Sequence, residues 1–460
     1  MEYNDPKIIG TQRQLFLDKF WISNSNEVFR KLHPPKKLET VLEREKPWEQ
    51  GSVSYMGTMR DGDKFRAYYR CRELPSREET EKQVTKGNDG EITAYQESDD
   101  GIHWEKPNLG IMEYEGSKDN NIVWMGPGAN MAPFKDRNPN TPENERYKAL
   151  VRKKDLWALV SADGLNWRLM QEDPISTDGP FDSFNISFWD PWREEYVAYT
   201  RGTAGNEGDF FGGVRWIRRT TSKDFRNWTP LEDIDAGDTP FEHLYTNACV
   251  AYERAPGTYL MFPSRFVPDR EPKPDWPGGA GVSDIVFMSS RDGINFDRSF
   301  MEALIRPGSD RNNWHERGLY IDPGLFETSP TELSMYGSEH WRLPTIRIVR
   351  YTFRMDGFVS LNANYSGGEV VTNPFVFDGQ QLELNYSTSA VGSVKVEIQD
   401  DNGIPIPGFS LNDCPEMFAD LIDGKVTWKN GENVSRLAGK PVRLRFALKD
   451  ADLYAFKFNK

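Results

Sequence analysis

Apolar and polar residues alternate in short runs along most of the chain, and Gly or Pro interrupts them at close intervals. Apolar positions at helical spacing are scarce, so the pattern predicts an all-β fold. The run Ser52 to Arg60, the turn Asp61-Gly62-Asp63 and the run Lys64 to Arg70 read as a hairpin. Similar pairs follow: Asn130 to Asp136 with Arg146 to Arg152, and Asn185 to Asp190 with Glu195 to Arg201 across Pro191-Trp192. Thr246 to Glu253 with Thr258 to Arg265, across Ala255-Pro256-Gly257, makes a fourth, and Glu332 to Tyr336 with Thr345 to Phe353 a fifth.

One phrase punctuates these pairs. It reads Ser98-Asp99-Asp100-Gly101-Ile102-His103-Trp104, Ser161-Ala162-Asp163-Gly164-Leu165-Asn166-Trp167, Ser222-Lys223-Asp224-Phe225-Arg226-Asn227-Trp228 and Ser290-Arg291-Asp292-Gly293-Ile294-Asn295-Phe296, at intervals of 63, 61 and 68 residues. A degenerate copy, Phe353-Arg354-Met355-Asp356-Gly357-Phe358, follows. Asp can bond backbone amides two residues on, Gly supplies positive φ, and the aromatic returns to the core, so the phrase is a structural turn. About four strands per sixty-odd residues, five times over, predict a five-bladed β-propeller over 1–358, with Gln14 to Ile22 helping to close the ring. Beyond it, alternating runs such as Gln381 to Tyr386, Val394 to Ile398 and Val442 to Phe446, with an Asn402-Gly403 hairpin signal, predict a C-terminal β-sandwich over 359–460.

The net charge of −14 argues against nucleic acid as partner, because a phosphate backbone is bound by surplus Lys and Arg. Mean hydropathy is −0.70 and no apolar run reaches the roughly 18 residues of a membrane span. The start, Met1 to Pro6, has no basic and apolar leader pattern, so the chain as written is expected in the cytoplasm, or in the periplasm or outside if a leader has been removed. Cys71, Cys249 and Cys414 lie too far apart for a disulfide scaffold or zinc site, and His33, His103, His243, His315 and His340 show no metal-ligand spacing. No metal or other cofactor is expected. Aromatic residues make up 13% of the chain; most suit β-sheet packing, but some can stack on sugars.

In a propeller the innermost strand of each blade starts on the rim where its neighbour ends, so side chains there converge on the axial mouth. Four second strands end in arginine, Arg70, Arg152, Arg201 and Arg265, which can pair with carboxylates or bind a sulfate, phosphate or uronate. Glu49, Asp182 and Glu242 stand just before inner strands of blades one, three and four, and supply the acid, base and modulating carboxylate that glycoside hydrolysis uses. His243 and Tyr245 adjoin Glu242 as candidate substrate contacts. Glu73, Glu207, Asp209 and Asp284 are competing acids on the same rim, and Asp18 is a rival for the first blade's role.

The repeated turn phrase, the five-fold period and the trailing sandwich resemble the five-bladed propeller glycosidases of glycoside hydrolase families 32 and 43. Leu15-Phe16-Leu17-Asp18, the Ser98 to Trp104 phrase with Lys106 to Gly110, and Ala438 to Phe446 are similar to a family 32-like group of bacterial hypothetical glycosyl hydrolases. The resemblance implies Glu242 as acid, Glu49 as base and Asp182 as modulator, although Glu49 stands where Asp is usual. The family 32 signature Trp-x-Asn-Asp-Pro-Asn-Gly and a Glu-Cys pair are missing, which speaks against fructan cleavage. The expected activity is exo-acting hydrolysis, by inversion, of a terminal sugar from a complex, anionic oligosaccharide or polysaccharide. A phosphate-dependent glycoside phosphorylase and a non-catalytic carbohydrate-binding propeller are the alternatives.

Overall fold

The computed structural model describes residues 6–72, 91–126, 128–205 and 213–460. The protein is all-β, and its middle part consists of consecutive antiparallel sheets built in one order, each strand pairing with the next along the chain. The first sheet contains Ser52–Asp61, Lys64–Arg72, Glu91–Ser98 and Ile122–Trp124. The second contains Ala129–Lys135, Tyr147–Lys153, Asp155–Ser161 and Arg168–Leu169, and the third Ile186–Asp190, Glu195–Ala204, Val214–Ser222 and Glu232–Asp233. The fourth is split into two ladders. His243–Leu244, Ser264–Val267 and Val282–Ile285 form one; Val250–Ala251, Tyr259–Met261, Met288–Ser290 and Phe296–Asp297 form the other. Pro263, which has no N–H to donate, stands at the break. Backbone bonds from Phe262 to Asn247 and from Val286 to Pro263 carry the sheet across it.

The fifth sheet holds Leu319–Ile321, Phe326–Ser329, Glu332–Glu339 and Arg347–Arg354, and its last strand, Lys36–Leu42, comes from near the amino terminus. Hydrogen bonds link the sheets in a cycle. Arg70 donates to Asn130, Asn130 to the Ser183 carbonyl, Ser183 to the Tyr245 carbonyl, Ser264 to the Leu319 carbonyl, and the Thr58 amide to Pro323. The fifth sheet therefore adjoins the first.

The turn phrase fixes this arrangement. In the second sheet Asp163 accepts from the Leu165 and Asn166 amides at 2.8 Å, and Ser161 caps the Gly164 amide at 2.9 Å. Gly101, Gly164 and Gly293 take φ of 73°, 79° and 77°. Their carbonyls accept from Tyr336, Tyr68 and Tyr199, each a tyrosine of the preceding sheet. Glycine is required twice over, by its φ and because an added Cβ would lie 2.8 to 3.0 Å from these hydroxyls. The third copy has Phe225 at φ 64°, and it is buried with Leu150 and Tyr196 instead of being latched by a tyrosine.

The remaining strands form one ten-stranded hydrogen-bonded system. Its long members, Gln381–Asp400 and Pro441–Asn459, pair with each other along nearly their whole length. The amino-terminal strands also belong here. Lys7–Gly10 pairs with Phe375–Phe377, Gln14–Leu15 with Pro441–Asn459, Ile22–Asn26 with Gly368–Thr372, and Val28–Leu32 with Val359–Ala363. The expectation that Gln14 to Ile22 closes the ring is thus replaced. Ile9, Phe16, Trp21 and Val28 are buried in the core of the terminal sheet, and Lys36–Leu42 supplies the closing strand. A division at 358/359 leaves residues 7–32 apart from the strands they pair with. Leu15, Leu17 and Ala455 pack with Leu333, Phe353 and Phe287, which seats the terminal sheet on the fourth and fifth sheets.

Candidate functional site

The inner strands begin on one side of the cycle, and a floor of buried rings closes that end. Tyr55 stacks on Tyr320 at 5.8 Å, both contact Trp341 at 5.1 and 4.8 Å, Phe184 lies 5.1 Å from Tyr55, and Tyr245 lies 5.8 Å from Tyr320. Tyr55, Asn130, Ala248 and Arg317 near these strand starts have φ of 49°, 55°, 42° and 58°. Left-handed backbone at non-glycine residues costs free energy and concentrates at sites whose geometry is over-determined by their surroundings.

Guanidinium groups cover this floor. Arg70 lies 4.5 Å from the Tyr55 ring centre and 5.1 Å from that of Trp341. It also bonds Ser54, Asn130 and Glu91, so it is fixed in place. Arg201, Arg215 and Arg317 surround Tyr245 at 5.6, 5.2 and 6.0 Å. Asp182, with 46% of its side chain exposed, lies 3.4 Å from Arg201 and 4.0 Å from Arg152. Glu316 lies 3.6 Å from Arg317 and 2.8 Å from Arg342. Arg215 has no carboxylate within ion-pair distance among the described residues, and its Nε has no hydrogen-bond partner.

Burial, with the nearby Asp182 charge, pushes the Tyr245 phenol above its ordinary value against the pull of Arg317 and Arg201. His243 is held below its usual value by burial and by Arg215. Its Nδ1 accepts the Arg215 amide at 3.1 Å, so the neutral ring carries its proton on Nε2.

Of the expected acids among the described residues, Asp182 alone reaches this cluster. Glu49 has no exposed surface. Its Oε2 accepts from the Glu45 and Lys46 amides and from Lys106, and its Oε1 from Tyr69 at 2.6 Å. A carboxylate so enclosed anchors the entry to the first sheet and has no face left for a substrate. Glu242 is displaced by alternation. His243 pairs with Phe266 and Leu244 with Arg265, so His243, Tyr245 and Phe266 share the face beneath Arg215, while Glu242 and Leu244 face the other way. There Glu242 binds Arg265 and the fully buried Arg298, and Arg265 also binds Asp284 at 2.6 Å. Arg265 and Asp284 therefore leave the mouth with Glu242. Asp18 pairs with Arg291 in a repeat turn beside the terminal sheet. Glu73, Glu207 and Asp209 lie outside the described residues.

Tyr55, Arg215, Glu316, Arg317, Tyr320 and Trp341 were not singled out from the sequence. Glu316-Arg317 could have been, because it precedes Leu319–Ile321 much as Asp182 precedes Ile186–Asp190. The described residues contain no group of three or more His, Cys, Asp or Glu able to hold a metal, and no helix long and apolar enough to cross a membrane.

Neither a family model nor a curated protein matches the sequence. Solved structures similar to this protein include a glycoside hydrolase at 14% identity, over 71% of this sequence and 93% of the other, with a TM-score of 0.46. A glycoside hydrolase family 43 arabinoxylan arabinofuranohydrolase from Bacillus subtilis, in complex with cellotetraose, shares 10% identity over 90% and 96%, with a TM-score of 0.44. A structure described under the GH130 family of mannoside phosphorylases, which contains glycoside hydrolases that target β-1,2 mannosidic linkages, shares 12% over 76% and 95%, with a TM-score of 0.42.

Proposed function

We propose that the protein is a five-bladed β-propeller glycosidase with a β-sandwich beside the ring, and that it removes a terminal acidic sugar from an oligosaccharide or polysaccharide. The observation that carries this reading is the Asp182 carboxylate, half exposed and oriented by Arg152 and Arg201, beside a tyrosine ringed by three arginines. The cyclic sheet order, with an amino-terminal strand completing the fifth sheet, is what a propeller requires. The ring floor blocks passage along the axis, so a chain end enters and exo action follows. Arg215, which has no carboxylate within ion-pair distance among the described residues, pairs with the carboxylate or sulfate of that sugar, and His243 and Tyr245 contact its hydroxyls.

Asp182 takes the water-activating role, because its carboxylate is half exposed while an arginine stands by each of its oxygens. Glu316, which approaches the same tyrosine through Arg317, takes the role of acid to the leaving oxygen, and attack by a water that Asp182 activates gives inversion. Phe241, 67% exposed over Trp216, and Trp314, 36% exposed beside Trp276, offer stacking faces to sugars beyond the cleaved bond. The test is hydrolysis of aryl uronides and sulfated oligosaccharides by the Asp182→Asn variant. Turnover should fall about 10²–10⁴-fold with the fold intact; near-normal turnover refutes the assignment. The same Arg215 suits inorganic phosphate as nucleophile, and turnover that depends on added phosphate would select phosphorolysis. Binding without cleavage would select the carbohydrate-binding reading.

A further inference from the structure

Between Ser264–Val267 and Val282–Ile285 the chain leaves the fourth sheet and reaches across to the fifth. The returning limb of this excursion is the run Gly278-Gly279-Ala280-Gly281. Three of its residues press on the arginine-lined mouth. Gly278 lies against the buried His315, so close that an added Cβ would sit 2.2 Å from the ring's Cγ. The Gly279 carbonyl accepts the Glu316 amide at 3.3 Å, and a Cβ on Gly279 would lie 3.4 Å from Oε1 of the Glu316 carboxylate. Gly281 packs on Phe266, where a Cβ would come within 2.3 Å of the ring. That ring lies 5.0 Å from the Arg215 guanidinium and 6.0 Å from the His243 ring.

A turn alone does not call for these contacts. Gly278 and Gly281 take φ of 98° and 93°, which accounts for glycine at both positions, but not for their seats against His315 and Phe266. Just past the run, the Ser283 hydroxyl accepts the Arg317 amide at 3.2 Å. Two successive backbone amides, of Glu316 and Arg317, are therefore tied to one stretch of the fourth sheet. The Glu316 carboxylate, with 23% of its side chain exposed, is in turn held by Arg342 at 2.8 Å and Arg317 at 3.6 Å.

We propose that residues 278–281 form a strap that positions Glu316 for proton delivery, with Gly278 and His315 as its positioning residues; this rests on the glycosidase reading above. Through Gly279 the strap fixes the acid, and through Gly281 it fixes the face that carries Arg215. The anionic group of the sugar and its leaving oxygen are thereby held at one separation. A shift of about 1 Å in such a group can cost about 10²-fold in rate. The loss has a chemical signature. A poor leaving group must take a proton from the acid as its bond to carbon breaks, whereas 2,4-dinitrophenolate departs as the anion and needs none.

Steady-state kinetics of the full chain on phenyl and 2,4-dinitrophenyl glycosides of glucuronate, galacturonate and glucose 6-sulfate, in both anomers, tests the proposal. Gly278→Ala drives the strap off His315, and His315→Ala removes the surface on which it rests. Each should lower kcat on the phenyl glycoside about 10–10²-fold, with KM and turnover of the dinitrophenyl glycoside changed by less than about threefold. Glu316→Gln should give the same split, and Gly237→Ala, which has φ 66° and no atom within 4 Å, should give none. Circular dichroism checks each fold; if Gly278→Ala does not fold, His315→Ala decides. Equal losses on both glycosides, or none on either, overturn the strap while Glu316→Gln still splits them. A Glu316→Gln variant without the split removes the acid and the strap together. A parent that cleaves none of these glycosides refutes the glycosidase reading and, with it, the inference.

Discussion

The glycine-and-tyrosine latch gives the most quantitative prediction. In Gly164→Ala the residue keeps φ 79°, a left-handed conformation that costs a Cβ-bearing residue about 1–2 kcal/mol. The new Cβ lies 2.7 Å from Nη1 of Arg66 and 2.8 Å from the Tyr68 hydroxyl, so something must move. The easiest relief is to break the 2.9 Å bond from Tyr68 to the Gly164 carbonyl, a further loss of about 1 kcal/mol. The variant should therefore lose about 2–3 kcal/mol. Gly62→Ala is the control, since it has φ 64° and no atom within 4 Å, and should show only the conformational part. Tyr68→Phe alone should cost about 1 kcal/mol, because Trp167 still donates to the same carbonyl at 2.9 Å. The double variant should then fall short of the sum by about 1 kcal/mol, since both changes lose one bond. Calorimetric melting and limited proteolysis measure these losses. A Gly164→Ala protein no weaker than Gly62→Ala, or strict additivity with Tyr68→Phe, would refute the latch.

Lys148 is buried and bonds Asp136, Thr141 and the Glu145 carbonyl, so Lys148→Met strands the enclosed Asp136 carboxylate and should cost about 3–5 kcal/mol, part of which Asp136→Asn should restore in melting experiments. Trp314→Ala should raise KM for long oligosaccharides about tenfold, in line with the loss of one stacking contact, and leave small aryl glycosides unaffected; an equal effect on both would place the ring elsewhere in function. His33, His243 and His315 are all held below the ordinary value of 6.5, chiefly by burial. Their unfolded forms take up protons first, so stability should fall as pH drops below about 6.5 and level off beneath the lowered folded values. In the turns, burial would raise Asp163 and Asp224, but hydrogen bonds from Asn166 and Asn227 outweigh it, bringing Asp224 to about 2. A second loss should therefore begin as pH falls through 3.8, and a melting temperature flat from pH 7 to pH 5 would contradict the histidine part.

The all-β character was legible because its signals are local. Alternation and turn chemistry act within a few residues, and the Ser-x-Asp turn with its bonds to backbone amides is written in consecutive positions. Strand pairing between distant segments left a weaker trace. Ile9, Phe16 and Trp21 look like any alternating strand, and nothing local tells whether their partners lie in the ring or in Pro441–Asn459. Lys36–Leu42, mostly exposed and rich in charge, closes the fifth sheet through backbone bonds that hardly depend on its side chains.

The candidate site failed for a different reason, which is parity. A residue placed correctly along a strand still has an even chance of facing the wrong side, and one step separates Glu242 from His243. His243, Tyr245 and Phe266 fall on the face with Arg215; Glu242, Arg265 and Asp284 fall on the other and satisfy one another there. Glu49 failed through the third dimension of packing, since its Tyr69, Lys106 and backbone partners come from three separate stretches of chain. Asp182 reaches the cluster because Arg201, its partner, lies just past the Ile186–Tyr199 pair on the adjacent strand, a relation that follows from hairpin geometry. Arginine at that strand end meant different things in different sheets: Arg70 and Arg265 are consumed by neighbours, and Arg201 orients an open carboxylate. The chemistry of this mouth is therefore set less by which residues recur than by which recurrences remain unsatisfied.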